Sequence, residues 1–212
     1  MPKLGRALLD LLLPPACFRC GRPGEEALCG PCARALPAAP WIPVQPPLAA
    51  AAAGAAYAAE TEAWVRRFKY PAAGVRLDPT PEVLLGELLQ RAAQSMPRAA
   101  LVVPVPLHPR RIRARGFNPA GRLAKRLARE LGLAFDPVAL VRLRDTPSQT
   151  GLSATARRRN VAAAFAPVRA LPEAVWLVDD VITTGSTVAA AARALRRAGA
   201  RRIVALAPVA TP

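Results

Sequence analysis

The 212-residue sequence predicts an α/β fold, a parallel sheet flanked by helices, with a small N-terminal metal-binding subdomain built on four cysteines. Three observations carry this. In the second half, short β-branched runs alternate with helical segments, the order of a parallel sheet covered on both faces. Near the N-terminus, Cys17-x2-Cys20-x8-Cys29-x2-Cys32 pairs four thiols on turns. Finally, one apolar run ends in adjacent carboxylates, Asp179 and Asp180, followed by a hydroxyl-rich turn and a helix.

Residues 4–13 suit a short amphipathic helix. Its apolar core, Leu8 to Leu13, is interrupted by Asp10 and stopped by Pro14 and Pro15, well short of the roughly 18 to 20 apolar residues of a membrane span. It runs straight into the cysteines without a small-x-small cleavage site, which argues against a secretory signal. Cytoplasmic residence follows, and in a reducing compartment paired cysteines serve as metal ligands rather than disulfides. Four thiolates form a closed, tetrahedral, non-catalytic shell for Zn²⁺. Gly21, Pro23, Gly24, Gly30 and Pro31 supply the turns, and a segment this small needs the metal to order it.

Five prolines between Leu36 and Pro47 make a connector. The nearly all-Ala run Leu48 to Ala59 reads as low-complexity filler, and Glu60 to Phe68 as a helix with Trp64 and Phe68 on one face. Leu84 to Met96 is the next helix. Then come a strand at Leu101–Val105, a helix at Pro119–Leu131 stopped by Gly132, and strands at Leu140–Leu143 and Ala162–Ala166. A buried strand at Val175–Val178, a helix at Thr187–Ala198 ended by Gly199, and a strand at Ile203–Ala207 complete the chain. The expected division is a knuckle and connector (1–47), a helical hood (48–98) and an α/β core (99–212).

Apolar residues make up 52 % of the chain and aromatics 5 %, enough for a core and against disorder throughout. The formal charge is +16, and 27 of the 30 cationic residues are Arg. Residues 98–159 alone hold 14 Lys+Arg against Glu130, Asp136 and Asp145. A field concentrated in this way suits phosphate-bearing partners, nucleotides or nucleic acid.

The segment from Val175 to Thr187 is the most informative. Ligands of open α/β sheets bind at the carboxyl ends of strands. Free N–H groups at the helix start, the helix dipole and the hydroxyls of Thr183, Thr184, Ser186 and Thr187 make an anion cradle, with Gly185 allowing close backbone approach. Asp179 and Asp180 would repel an anion, so they serve another part of the ligand. Carboxylates accept hydrogen bonds from vicinal hydroxyls, which points to a ribose with its 5′-phosphate in the cradle. A Walker loop is excluded because no Lys follows the Gly.

This stretch resembles the 5-phosphoribosyl 1-pyrophosphate (PRPP) motif of type I phosphoribosyltransferases. With it come the Cys knuckle, Tyr57 before a helix ending Phe68-Lys69-Tyr70, Val103-Pro104-Val105-Pro106-Leu107-His108, Arg115-Gly116-Phe117-Asn118, Gln149-Thr150-Gly151-Leu152 and Arg157-Arg158-Arg159-Asn160-Val161. In this order they resemble the ComF family of competence-associated proteins over nearly the whole chain. The departures are Ala58 and Ala59 after the Tyr and a local insertion at Leu77 to Pro81, which leaves Lys69 without an assigned role.

The resemblance implies a type I phosphoribosyltransferase-like sheet and a zinc-binding knuckle. Asp179 and Asp180 become the catalytic pair on the ribose, and Thr183, Thr184, Gly185, Ser186 and Thr187 hold the 5′-phosphate. The loop His108 to Asn118 meets the pyrophosphate, so Arg110, Arg111 and Arg115 join the PRPP site. Guanidinium forks pair bidentately with phosphate oxygens. Arg144 to Asn160 corresponds to a mobile lid, from which Arg157, Arg158 and Arg159 could neutralise pyrophosphate or bind a nucleic-acid backbone. Two functions remain open. One is a protein that binds PRPP with Mg²⁺ and handles single-stranded DNA with an uptake machinery. The other is an active phosphoribosyl transfer (a glycosyltransferase) to an unidentified acceptor.

Overall fold

The computed structural model describes residues 15–71, 78–144 and 164–212. In chain order the elements are α1 (Gly30–Arg34), β1 (Leu48–Ala56), α2 (Ala59–Lys69), α3 (Thr80–Gln94), β2 (Leu101–Pro104), α4 (Pro109–Arg115) and α5 (Pro119–Leu131). They continue as β3 (Ala134–Phe135), β4 (Leu140–Arg142), β5 (Phe165–Pro167), β6 (Ala174–Val178), β7 (Val181–Ile182), α6 (Ser186–Arg197) and β8 (Arg202–Ala210). The N-terminal helix expected at 4–13, the lid residues 145–160 and Leu77 of the insertion lie outside the described residues.

The main sheet has six strands in the order β1-β8-β6-β2-β3, with β7 also paired to β8, and every pairing in it is parallel. Strand alternation sorts the core into two layers. Trp176 and Val178 of β6 join Val102, Val204 and Leu206 on one face, which α2, α3 and α5 cover through Trp64, Phe68, Leu85, Leu123 and Leu127. Val175 and Leu177 point the other way with Val103, Ile203 and Ala205, under Val188, Ala191 and Leu195 of α6. Each fully buried Val or Leu here contributes about 1.5–3 kcal/mol. The antiparallel ribbon β4–β5 packs Leu140 and Phe165 against that second layer.

Two expectations are corrected. The Ala-rich run is strand β1, paired along its length with β8 from Leu48↔Ile203 to Ala56↔Ala210. Its composition has a packing cause. A Cβ on Gly54 would collide with the backbone carbonyl of Leu88, so α3 lies against the backbone of β1 and only very small side chains fit beneath it. The stretch His108 to Asn118 is not all loop, because α4 occupies its middle. The knuckle packs onto this frame: Cys17, Leu28, Cys32 and Leu36 belong to the same buried cluster as Trp64 and Phe68.

The β1–α2 turn is fixed by the fully buried Thr61. Its hydroxyl accepts the Ala58 N–H at 2.9 Å and donates to the Ala56 carbonyl at 2.8 Å. This sets where α2 enters the fold and where its far end, Lys69, arrives.

Gly54→Ala must push α3 away from β1, and overpacking of this kind costs typically 1–3 kcal/mol. The melting midpoint should fall by about 5 °C, measured by circular dichroism. An unchanged midpoint would show that the approach of α3 to β1 is looser than described.

Candidate functional site

A cleft of ≈ 510 Å³ opens at the carboxyl ends of β2 and β6, and its lining includes Asp179, Asp180, Thr183 and Thr187 together with Arg111, Arg115 and Arg142. Its volume is that of a small-molecule site. The parallel pairings put it there: the N–H of Asp179, just past the end of β6, bonds to the Leu206 carbonyl, and the N–H of Val105, just past the end of β2, bonds to the Val178 carbonyl.

The acid pair sits where the sheet stops. Asp180 donates its backbone N–H to Asp179 Oδ1 at 2.9 Å. Asp180 Oδ2 pairs with Lys69 Nζ at 2.9 Å, with side-chain exposures of 17 % and 20 %. Burial, and then the neighbouring Asp180 charge, push the Asp179 carboxyl from its ordinary 3.8 up to about 7. One carboxylate is therefore held by a cation, and the other is poised to take or give a proton.

Gly185 takes φ 71° as N-cap of α6, a left-handed conformation that favours glycine. The following N–H groups of α6 have no partner within the helix. Beside them a small hollow is lined by Asp179, Thr183, Gly185 and Thr187. Thr184 and Ser186 bond to each other through their hydroxyls at 2.9 Å and are absent from both linings. Thus Thr183 and Thr187 meet the cleft, Gly185 lines only the hollow beside it, and Thr184 and Ser186 bond to each other across the turn.

Of the expected arginines, Arg111 and Arg115 line the cleft and Arg110 does not. The helical turn of α4 is the reason, since residues four apart share a face. Arg115 donates to Tyr70 Oη at 2.9 Å and lies 4.8 Å from that ring's centroid. Asn118 donates to the Val105 carbonyl at 3.0 Å and ties the start of α5 to the end of β2. Arg157, Arg158 and Arg159 lie outside the described residues. Sequence reasoning gave Lys69 no role and missed Arg142 and Thr211, which come from distant segments. It noted Tyr57 and Tyr70, which also line the cleft, only as markers of the resemblance.

The second cluster is the knuckle. The four Sγ atoms of Cys17, Cys20, Cys29 and Cys32 lie within 4.8 Å of one another, and Cys20 and Cys29 Sγ are 3.7 Å apart. A tetrahedron of Zn–S bonds of about 2.3 Å has edges of about 3.8 Å, so the donor set fits zinc. Burial opposes ionisation of Cys17, but N–H groups of Cys29, Cys20 and Arg19 outweigh it and bring that thiol down to about 6. Burial and the surrounding sulfurs push Cys32 up to about 12. Four adjacent thiolates need a cation among them. Arg19 fastens the knuckle to α2, donating to Glu60 Oε1 and to the Cys32 carbonyl, each at 3.0 Å.

A raised carboxyl pKa means that the folded state holds its proton more tightly than the unfolded chain. The stability this gives is complete below the unfolded value near 3.8 and is lost as pH rises through about 7. Asp179→Asn should match the parent protein near pH 4 and melt a few degrees higher at pH 7.5. Thermal unfolding over that range checks this, and a pH-independent gap would exclude burial of the charge as the cause.

The phosphoribosyl transferase domain family matches residues 112–212, which covers α5, the acid pair and the α6 turn. DNA utilization protein YhgH of Salmonella typhi is 37 % identical over 198 residues, spanning 88 % of this chain and 80 % of that protein. YhgH of Escherichia coli (strain K12) is 32 % identical over 219 residues, spanning 91 % and 96 %. Competence protein F of Haemophilus influenzae is 40 % identical over 106 residues, spanning 48 % and 46 %. Among solved structures, glutamine PRPP amidotransferase from B. subtilis is 22 % identical with a TM-score of 0.44, the match covering 66 % of this chain and only 30 % of that longer one. The resemblance read from the motifs thus holds: the chain belongs to the ComF family, with its phosphoribosyltransferase-type sheet and an N-terminal four-cysteine knuckle that fits zinc.

Proposed function

We propose that the chain binds PRPP with Mg²⁺ in the cleft and acts in handling single-stranded DNA during competence or DNA utilization. One observation supports the ligand most: a single cleft of ≈ 510 Å³ is acidic at Asp179 and Asp180, lies beside the N–H groups of the α6 start, and is cationic at Arg111, Arg115 and Arg142. PRPP has the matching chemistry, with vicinal hydroxyls, a 5′-phosphate and a pyrophosphate. Asp179 and Asp180 accept from the ribose hydroxyls, the Thr183–Thr187 turn seats the 5′-phosphate, and the arginines face the pyrophosphate. When bound, Mg²⁺ neutralises pyrophosphate charge. The names of the YhgH and competence relatives support the DNA side of the reading.

In this reading zinc is structural, residence is cytoplasmic, and the divisions 1–47, 48–98 and 99–212 stand as knuckle, hood and core, with β1 stitching hood to core. Among the described residues no helix is long and apolar enough to cross a membrane.

Calorimetry with PRPP and Mg²⁺ tests the cleft: Asp179→Asn with Asp180→Asn should weaken binding more than tenfold. Equal affinities would remove the acid pair from the site. Pyrophosphate release that depends on one added acceptor would make the protein a transferase instead of a binding protein.

Metal analysis should find about one zinc per chain, lost in Cys17→Ser with Cys29→Ser. Because the knuckle shares its core with Trp64, removing the metal should lower the melting midpoint of the whole protein and shift tryptophan fluorescence. Unchanged melting after complete zinc removal would show the knuckle to be energetically separate.

A further inference from the structure

The edge of the sheet opposite the cleft carries a charge that the cleft does not use. Arg98 precedes β2, and Arg201 and Arg202 open β8, where Arg202 pairs with Ala174 at the start of β6. Arg196 and Arg197 end α6, whose C-terminus returns to the same edge. All five are exposed. Hydrogen bonds hold them as one group. Arg202 donates to the Arg98 carbonyl at 3.4 Å, Arg196 to the Arg201 carbonyl at 3.0 Å, and Arg98 to the Leu131 carbonyl at the end of α5 at 2.8 Å. The segment bearing Arg98 is itself anchored, since the Trp176 indole N–H donates to the Pro97 carbonyl at 3.0 Å and the Ala100 N–H to the Ala174 carbonyl.

Cations at helix C-termini offset the helix dipole and cap carbonyls. These bonds to carbonyls occupy only part of each guanidinium, which has five donors in a planar fork. Among the described residues, the carboxylates on the segments that build this edge are Glu173, whose carbonyl accepts the Arg201 and Arg202 N–H groups, Glu130 at the end of α5, paired with Arg126, and the buried Asp136, paired with Arg169. The patch also ends in a hollow of ≈ 320 Å³ lined by Arg169 and Arg197. An edge this cationic and partly concave suits a chain of phosphates.

We infer that this edge, built from Arg98, Arg169, Arg196, Arg197, Arg201 and Arg202, is the docking surface for the phosphate backbone of DNA. The inference rests on the DNA-handling part of the proposed function and is independent of the cleft ligand. The length of β6 separates the two sites by about 15 Å, so both can be filled at once. The aromatic residues exposed among the described ones, Phe18, Trp41 and Tyr70, lie on other segments, so the surface reads backbone charge without stacking and has no sequence preference.

The test is fluorescence anisotropy of the full-length protein with a labelled 30-mer of dT, from 50 to 300 mM KCl. The variant carries Arg98→Gln, Arg197→Gln, Arg201→Gln and Arg202→Gln, all at exposed positions. It should bind at least tenfold more weakly at 100 mM, and the log–log salt slope should flatten by roughly 0.7 for each phosphate that is no longer neutralised. The same four positions changed to Lys should restore the slope, which separates charge from fold, and saturating PRPP with Mg²⁺ should not compete. An unchanged slope in the Gln variant would overturn this surface and leave DNA handling to another one. No binding of DNA by the parent protein, including the case in which it binds only vesicles with anionic lipid, would overturn both the surface and the DNA part of the reading.

Discussion

Parallel pairing of β6 between β2 and β8 is the constraint on which the rest depends. A strand buried on both faces must be apolar along its whole length, and Val175 to Val178 are all buried. Polar groups are admitted only where the pairing ends, so Asp179 and Asp180 are the first residues able to carry charge. The same boundary leaves the α6 N–H groups outside the helix ladder, because the chain must turn through Gly185 before that ladder begins. Acid pair and glycine turn are therefore two consequences of one strand end. Burial there and the neighbouring Asp180 charge account for the raised pKa of Asp179.

Electrostatic order across the molecule follows from that arrangement. The cleft mixes signs within one cavity, and Lys69 at the end of α2 pairs with Asp180 there. The opposite edge is nearly all cationic. Parallel strands covered by helices running back contribute to this polarity: α6 starts at the cleft and ends at the opposite edge, and each helix end favours its own sign of charge.

The knuckle is tied into this frame more closely than its size suggests. Its cysteines and Leu28 share a buried cluster with α2 and α3, and Arg19 bonds to Glu60 at the start of α2. The other end of the same helix carries Lys69 to the acid pair. One helix thus links the four-cysteine knuckle to the cleft.

The sequence by itself determined what is written in contiguous residues. The β6 strand, its terminal carboxylates and the glycine turn follow one another without a gap, and the Cys spacing encodes a four-thiolate shell through local turns alone. Only the tertiary structure decided what depends on neighbours remote in the chain. Leu48 to Ala56 reads as filler because Ala carries no pattern, yet it is a strand, since β8 offers it a partner and α3 leaves no room for larger side chains. Arg111 and Arg115 reach the cleft and Arg110 does not because α4 is helical, a periodicity that Pro109 at a helix start could have signalled. Lys69 and Arg142 join the site from α2 and β4, segments with no motif of their own. Their roles exist only because packing brings them into one cleft with Asp180, and that packing energy is spread over the whole core instead of any local run.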